Sequence, residues 1–431
     1  MKYLNSTLYI LTIFLLSCED NFNNRNNYLL TIRNLPEGSG STIVKSGFYE
    51  KNSELSIEAV PTEDYTFLEW TGSINGSKNP IEFILNSDYE IDANYSLIDE
   101  DGDGVGDRLD QCPGTKYQNP VDEYGCCVEA DEVLFNNLTD LPQPAAYNSS
   151  ASSGSYIYLS KGVVINSDNI IERTPNVYRY DIINDFWETF VSDALPVSYG
   201  ASEIIGSNLY LFNGKNYPIV DDKVLNDTVE IVNLFDRSIR RDIINPYPVV
   251  QSGSTVWNFT NIIFFGGRNL TGCSDNIVKY DVNTNSFDII GKIPFPICNA
   301  KGEVFGDKLY IVGGDLDYDS SDKILIFNLN TKEWEDEIIL PMKISDHTTS
   351  IYENKIFIKG DFNQLNLFAV FDVESLSFRM IESNVIGSRY LTSQIINDIF
   401  YVMGGNETSN YSTMINNFQS LDLKTKGYFC Y

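Results

Sequence analysis

The sequence predicts an all-β protein whose main part is a ring of six four-stranded units. Three observations carry that prediction. The first is a recurring phrase: KLYIVGGD at 308–315 returns as NLYLFNGK at 208–215, NIIFFGGR at 261–268, KIFIKGDF at 355–362 and IFYVMGGN at 399–406, with a weaker copy, YIYLSKGV, at 156–163. The second is its period. The second glycine slot falls at 162, 214, 267, 314, 361 and 405, so successive spacings are 52, 53, 47, 47 and 44 residues, a range that belongs to blades or solenoid repeats. The third is a partner phrase: apolar-alternating runs end in Asp181, Asn233, Asp281, Asn328, Asp372 and Asp422, and six residues on stand Trp187, Ile239, Phe287, Trp334, Phe378 and Tyr428. Period-two alternation makes strands and Asn/Asp/Gly clusters make turns, while no stretch sustains the 3.6 period of a helix.

Gly-Gly after an apolar strand, Tyr within it, Asp before a turn and Trp six residues later resemble the kelch repeat. The resemblance implies a six-bladed kelch-like β-propeller over 128–431. Gly-Gly is intact at 266–267, 313–314 and 404–405, and Lys161, Asn213 and Asp361 depart from it. Glycine there allows close strand packing or a positive φ. The aromatics are expected to wedge between blades, and a ring leaves only short, protected edges. VLFNNLTDLP at 133–142 resembles an outermost strand and exit turn, as in FDIIGKIPFP at 287–296, with no earlier blade to complete. Residues 133–138 are therefore expected beside the C-terminal strand of blade six, near 428–431, which brings Cys127 close to Cys430.

The N-terminus has a single early charge, Lys2, then a short apolar run at 8–16 and LLSC at 15–18. The run is too short to span a bilayer and reads as a signal-peptide core. LLSC resembles the bacterial lipobox, which implies a signal peptide over 1–17 and acylation of Cys18. Glu19-Asp20 resembles the surface-export signal of Bacteroidota lipoproteins. Residues 18–27 form a polar tether, and the address expected is a lipid-anchored, surface-exposed position on a bacterial outer membrane.

Residues 28–97 hold the first folded module. YLLTIR, ELSIEAV, YTFLEW, IEFIL and YEIDANY have strand length and patterning, separated by turn residues at 36–40, 75–76 and 86–88. Gly38, Gly40, Pro61, Tyr65, Phe67, Trp70, Gly72, Ala93 and Tyr95 together resemble the divergent internalin B-repeat, whose relatives serve as stalks and spacers. Trp70 is expected in the core of the module.

Residues 98–127 carry the sharpest chemical signal. Asp99, Asp101, Asp103, Val105, Asp107 and Asp110 occupy positions 1, 3, 5, 7, 9 and 12 of a loop, with Gly104 at position 6. Hard oxygen ligands at this spacing, one backbone carbonyl and a glycine for the sharp turn are what a Ca²⁺ loop requires. With Cys112-Pro113-Gly114-Thr115 and Asp122-x-x-Gly125-Cys126, the segment resembles a thrombospondin type 3 repeat, a calcium-stiffened linker. Ca²⁺ is thus the cofactor expected.

Seven cysteines remain to be placed. Cys18 goes to lipid, and even pairing in an exported chain favours disulfides. Cys112 with Cys126, Cys273 with Cys298 and Cys127 with Cys430 are the expected pairs. Cys126 with Cys430 and Cys112 with Cys127 are the alternative.

The chain carries 60 acidic against 30 basic residues, a net charge of −30, which disfavours nucleic acid and anionic membranes as partners. The only membrane contact expected is the lipid anchor, and the chain is expected to be monomeric. A single histidine, His347, among 431 residues excludes a two-histidine copper site. No P-loop, HExxH or GxSxG is present. The starts of the inner strands gather at one mouth of the ring and supply Tyr147, Tyr199, Gln251, Asn299, Lys301, Asp346, His347, Arg389 and Tyr390. These suit stacking and hydrogen bonding to a glycan or a protein, and mouths of closed β-rings are common ligand sites. The leading expectation is a tethered, non-enzymatic binding protein. Two alternatives are a propeller enzyme acting on a sugar, as the resemblance to sialic-acid mutarotases implies, and a structural component of the envelope or gliding machinery.

Overall fold

A computed structural model describes residues 26–115, 121–216, 225–317, 319–408, 413–425 and 428–429. The chain divides into two compact units, one up to Cys127 and one from Val128 onward. Among the described residues, the regular elements of both are strands.

In the first unit, Asn27–Leu35 lies between Gly47–Glu50, antiparallel, and Tyr89–Leu97, parallel, and the latter pairs Tyr65–Gly72. Alternation places Leu30, Ile91, Ala93 and Trp70 on one face, where Ile57 and Ala59 from two small two-stranded sheets close over them. Trp70 is fully buried, and its indole N–H donates to Lys78 O at 3.0 Å. That bond satisfies the one polar atom of a large core ring.

In the second unit, six four-stranded sheets succeed one another. Their first strands are Ser149–Ser153, Ala201–Ile205, Gly253–Trp257, Lys301–Phe305, Thr348–Tyr352 and Thr392–Ile396. Each touches the next, and Ser149–Ser153 also lies against Thr392–Ile396, so these strands ring a central channel. The apolar core lies between sheets: Tyr310, Ile324 and Ile326 of the fourth meet Ile356, Ile358 and Phe371 of the fifth. The repeat aromatics reach across the same seams. The Trp187 indole donates to Thr139 O at 3.1 Å and packs on Phe418, and the Trp334 indole donates to Lys292 O at 3.0 Å.

The sixth sheet takes its outer strand from the start of the unit. Asn136–Asn137 pairs antiparallel with Phe418–Asp422, with Asn136 opposite Ser420 and Asn137 opposite Gln419. The register differs from the sequence expectation, which put the partner near 428–431. Glu132–Val133 instead runs parallel to Glu382–Ser383 beside the fifth sheet. The segment therefore serves two blades, because its first residues are drawn to the unpaired edge after Met380.

The first glycine slot of every repeat has positive φ: Lys161 51°, Asn213 59°, Gly266 61°, Gly313 54°, Gly360 79° and Gly404 60°. Lys161 and Asn213 thus depart in residue type and keep the backbone. Lys161 is buried with its ammonium 3.4 Å from Glu230. At the second slot, Gly314 has φ +102° and sits so close to Cys298 O and Ala300 that a β-carbon would collide. Asp361 occupies that slot in the fifth repeat, and its carboxylate accepts from Ser345 N, Asn363 N and Gln364 N at 2.8–2.9 Å. It organises its loop by hydrogen bonds where glycine does so by close approach.

Candidate functional site

Six residues that precede the inner strands share an unusual backbone. Tyr147, Tyr199, Gln251, Asn299, Asp346 and Tyr390 have φ between 52° and 60°, a region that costs a non-glycine residue about 1–2 kcal/mol. The compensation is a collar of amide bonds running from blade to blade. Tyr199 N donates to Tyr147 O (3.0 Å), Gln251 N to Tyr199 O (3.2 Å) and Asn299 N to Gln251 O (2.9 Å). Tyr390 N donates to Asp346 O (3.0 Å) and Tyr147 N to Tyr390 O (2.9 Å). The space left beneath this collar is about 40 Å³.

The mouth above the collar has two unlike halves. The Tyr147 ring lies tilted against both Tyr199 and Tyr390 with centroids 4.4 Å away, and the three rings pack with Val163 and Met414. Gln251, Asn299 and Asp346 make the polar half, and Asn299 Nδ2 donates to Asp315 Oδ2 at 2.6 Å. Burial, then the neighbouring Asp315 carboxylate, raises Asp346 to about 7. At the junction, Arg389 lies 4.0 Å over the Phe362 ring and donates to Phe362 O at 2.9 Å. His347 is 1% exposed, and burial, with Lys301 adding repulsion, lowers it to about 3. It is a neutral wall residue at neutral pH.

Below the collar the channel widens to about 250 Å³. Its wall is a belt of hydroxyls that joins neighbouring blades: Ser149 to Ser202 at 2.5 Å, Ser150 to Thr392 at 2.6 Å, Thr348 to Ser393 at 2.8 Å. Two carboxyls belong to the same belt. Ser254 donates to Glu203 at 2.6 Å and Thr349 to Glu303 at 2.8 Å. Of the residues expected at the mouth, Lys301 faces this inner chamber as well. Glu203, Glu303 and Phe362 were not anticipated from sequence. Glu203 and Glu303 stand four residues after Tyr199 and Asn299, so aligning the repeats in register would have exposed the pair.

In the first unit the acidic loop is compact. Asp99, Asp101 and Asp103 each bring an oxygen within 4.8 Å of the others. Asp99 accepts from Gly102 N and Gly104 N, Asp101 from Gly114 N, and Asp103 from Val105 N. Gly104, at φ +100°, makes the turn. Asp103 Oδ2 is buried with no partner, beside Asp110 and Gly125. These features fit a hard cation. Asp107 is turned aside to accept from Glu100 N at 2.7 Å. Disulfides join Cys112 to Cys126 and Cys273 to Cys298, and Cys127 is also disulfide-bonded. Cys18 and Cys430 lie outside the described residues.

Blades built on the recurring Gly-Gly turn, closed around a collared channel, define an all-β protein with a kelch-repeat module. The comparisons agree. Residues 296–337 match the family model described as Kelch motif, and residues 28–99 match the Divergent InlB B-repeat domain. The chain is 26% identical over 257 residues to Kelch domain-containing protein 1 of Homo sapiens, covering 50% of this chain and 62% of that protein. It is 22% identical over 233 residues to Kelch-like protein 15 of Mus musculus, covering 48% of this chain and 37% of that one. Kelch-like protein 38 of Mus musculus is 25% identical over 189 residues, 41% of this chain and 29% of the relative. The chain thus spans less than two thirds of each of these curated relatives.

Proposed function

We propose that this chain is a lipid-anchored surface protein whose kelch module binds a protein partner across the collared mouth. In this reading Cys18 carries the anchor, the B-repeat module spaces the head from the membrane, and Ca²⁺ stiffens the segment held by Asp99, Asp101 and Asp103. The observation that carries it is the collar. Only about 40 Å³ of space lies directly beneath it, so a mouth ligand spreads over the rim and does not enter. The rim exposes Phe362 and, in part, Tyr199 and Tyr390, which pack over the buried Tyr147 and Arg389, and tyrosine is among the residue types that concentrate binding energy at protein interfaces.

The test is photo-crosslinking on intact cells with full-length protein carrying a crosslinker at Phe362, compared with one at Leu376 on another loop. Position-specific crosslinks to one protein, lost in Arg389→Ala, support the reading. Crosslinks of equal yield at both positions, or a glycan-array signal abolished by Arg389→Ala with no protein crosslink, would sink it.

A further inference from the structure

The channel behind the collar carries chemistry that a rim-bound partner does not use. Glu203 from the second blade and Glu303 from the fourth face the chamber of about 250 Å³, with Lys301, Gln394 and wall hydroxyls around them. Both carboxyls are fixed in place, Glu203 by Ser254 and Glu303 by Thr349. The small chamber under the collar adjoins this one and shares Asn148, Ser252 and Lys301 with it. His347 lines the small chamber, almost wholly buried, and neither ring nitrogen has a partner; Asp346 Oδ1, also buried, has none either. A neutral imidazole offers one donor and one acceptor. A space of about 40 Å³ takes one hydroxyl-sized group, since a water occupies about 30 Å³ in the liquid.

The wall selects a chemical class. Glu203, Glu303 and Asp346 oppose an anion. A bare cation is usually held by several carboxylates converging on one point, and among the described residues the one group of three or more His, Cys, Asp or Glu side chains that converge is Asp99, Asp101 and Asp103, outside this chamber. A molecule rich in hydroxyls meets every demand: it donates to the carboxyls, accepts from Lys301 and pairs with either nitrogen of His347. Burial raises Glu203 to about 7 and Glu303 to about 8, so a share of these carboxyls is protonated at neutral pH and suits a guest whose hydroxyls both donate and accept. A chamber smaller than the usual drug-sized pocket of about 300–1,000 Å³ sets the size.

We propose that the channel interior is a second binding site, for a neutral polyhydroxylated molecule of monosaccharide size, held by Glu203, Lys301 and Glu303 with His347 at the closed end. It is independent of what occupies the rim.

The experiment uses the full-length protein and four probes: D-glucose, D-galactose, N-acetyl-D-glucosamine and myo-inositol. Saturation-transfer NMR and calorimetry are expected to find at least one that binds at one site per chain at millimolar concentration. Glu303→Gln keeps the shape and the Thr349 contact and is expected to weaken binding about tenfold, because an amide nitrogen that only donates replaces a carboxyl oxygen that accepts. Lys301→Met is expected to do the same, and melting curves establish that each variant is folded. Should Glu303→Gln fail to fold, Glu203→Gln replaces it. No binding by any of the four probes, or equal binding in wild type and folded variants, overturns the proposal.

Discussion

Asn384 grips the backbone of Phe135 from both sides: Phe135 N donates to Asn384 Oδ1 at 2.6 Å, and Asn384 Nδ2 donates to Phe135 O at 3.0 Å. One amide side chain thus replaces two ladder bonds where the segment passes from the fifth sheet to the sixth. The Phe135 ring is buried against Phe368 at 5.2 Å and Phe400 at 6.2 Å. Without this segment the edge of Phe418–Asp422 would be unpaired, a liability for any sheet.

Phe135→Ala is expected to cost about 3–5 kcal/mol, the range for removing a buried phenylalanine. Asn384→Ala leaves a buried amide and carbonyl without partners and is expected to cost about 1–3 kcal/mol. Chemical denaturation of the two variants measures both. Losses within about 0.5 kcal/mol, the level of ordinary surface changes, would show that the segment contributes nothing to closure.

Replacing Asp101 and Asp103 together by Asn removes two carboxylates from the cluster of three while keeping the hydrogen-bonding shape. Calcium binding followed by calorimetry on the full-length chain is expected to vanish at millimolar Ca²⁺. Asp107→Asn is expected to matter less, because that side chain is occupied by Glu100 N. Unchanged binding in the double variant refutes the assignment.

Glu303 sets a pH signature. Burial raises it to about 8, against about 4.3 in an unfolded chain. Between those values the folded state holds a proton that the unfolded state has released. The stability this contributes is present at low pH and is lost as pH rises to about 8. Other groups titrate here too: burial raises Glu203 and Asp346 to about 7 and lowers Lys359 to about 7. The difference between wild type and Glu303→Gln removes their contribution. The variant is expected to gain on wild type, in melting temperature, from about pH 5 to pH 8 and to hold a constant lead above. A flat difference across this window contradicts the burial of Glu303 as a titrating group.

The anchor is tested by Cys18→Ser. The variant is expected to lose acyl labelling and to leave the membrane fraction. Retention in that fraction after a carbonate wash means that another feature holds the protein.

Much of this protein was legible in its sequence because the relevant signals are local. Alternation gave the strands, the Gly-Gly turn located each repeat, and Asp99, Asp101 and Asp103 converge because a tight loop with Gly104 at its bend leaves little choice. Trp70 could be assigned to a core from its neighbours alone. The mouth residues were found because each begins an inner strand. Their left-handed backbone was not, since Tyr147 or Tyr199 gives no hint of a conformation more usual for glycine.

By itself, the sequence determined the elements, their period, and the polar character of the inner strands. Only the tertiary structure decided what meets across blades. Glu203 and Glu303 face one chamber, Asn136 settles opposite Ser420, and the collar amides find carbonyls a whole repeat away. The physical reason is range. Strand and turn preferences act over a few residues, whereas these contacts exist only after the chain has closed on itself, and small differences in blade angle fix which groups come within hydrogen-bonding distance.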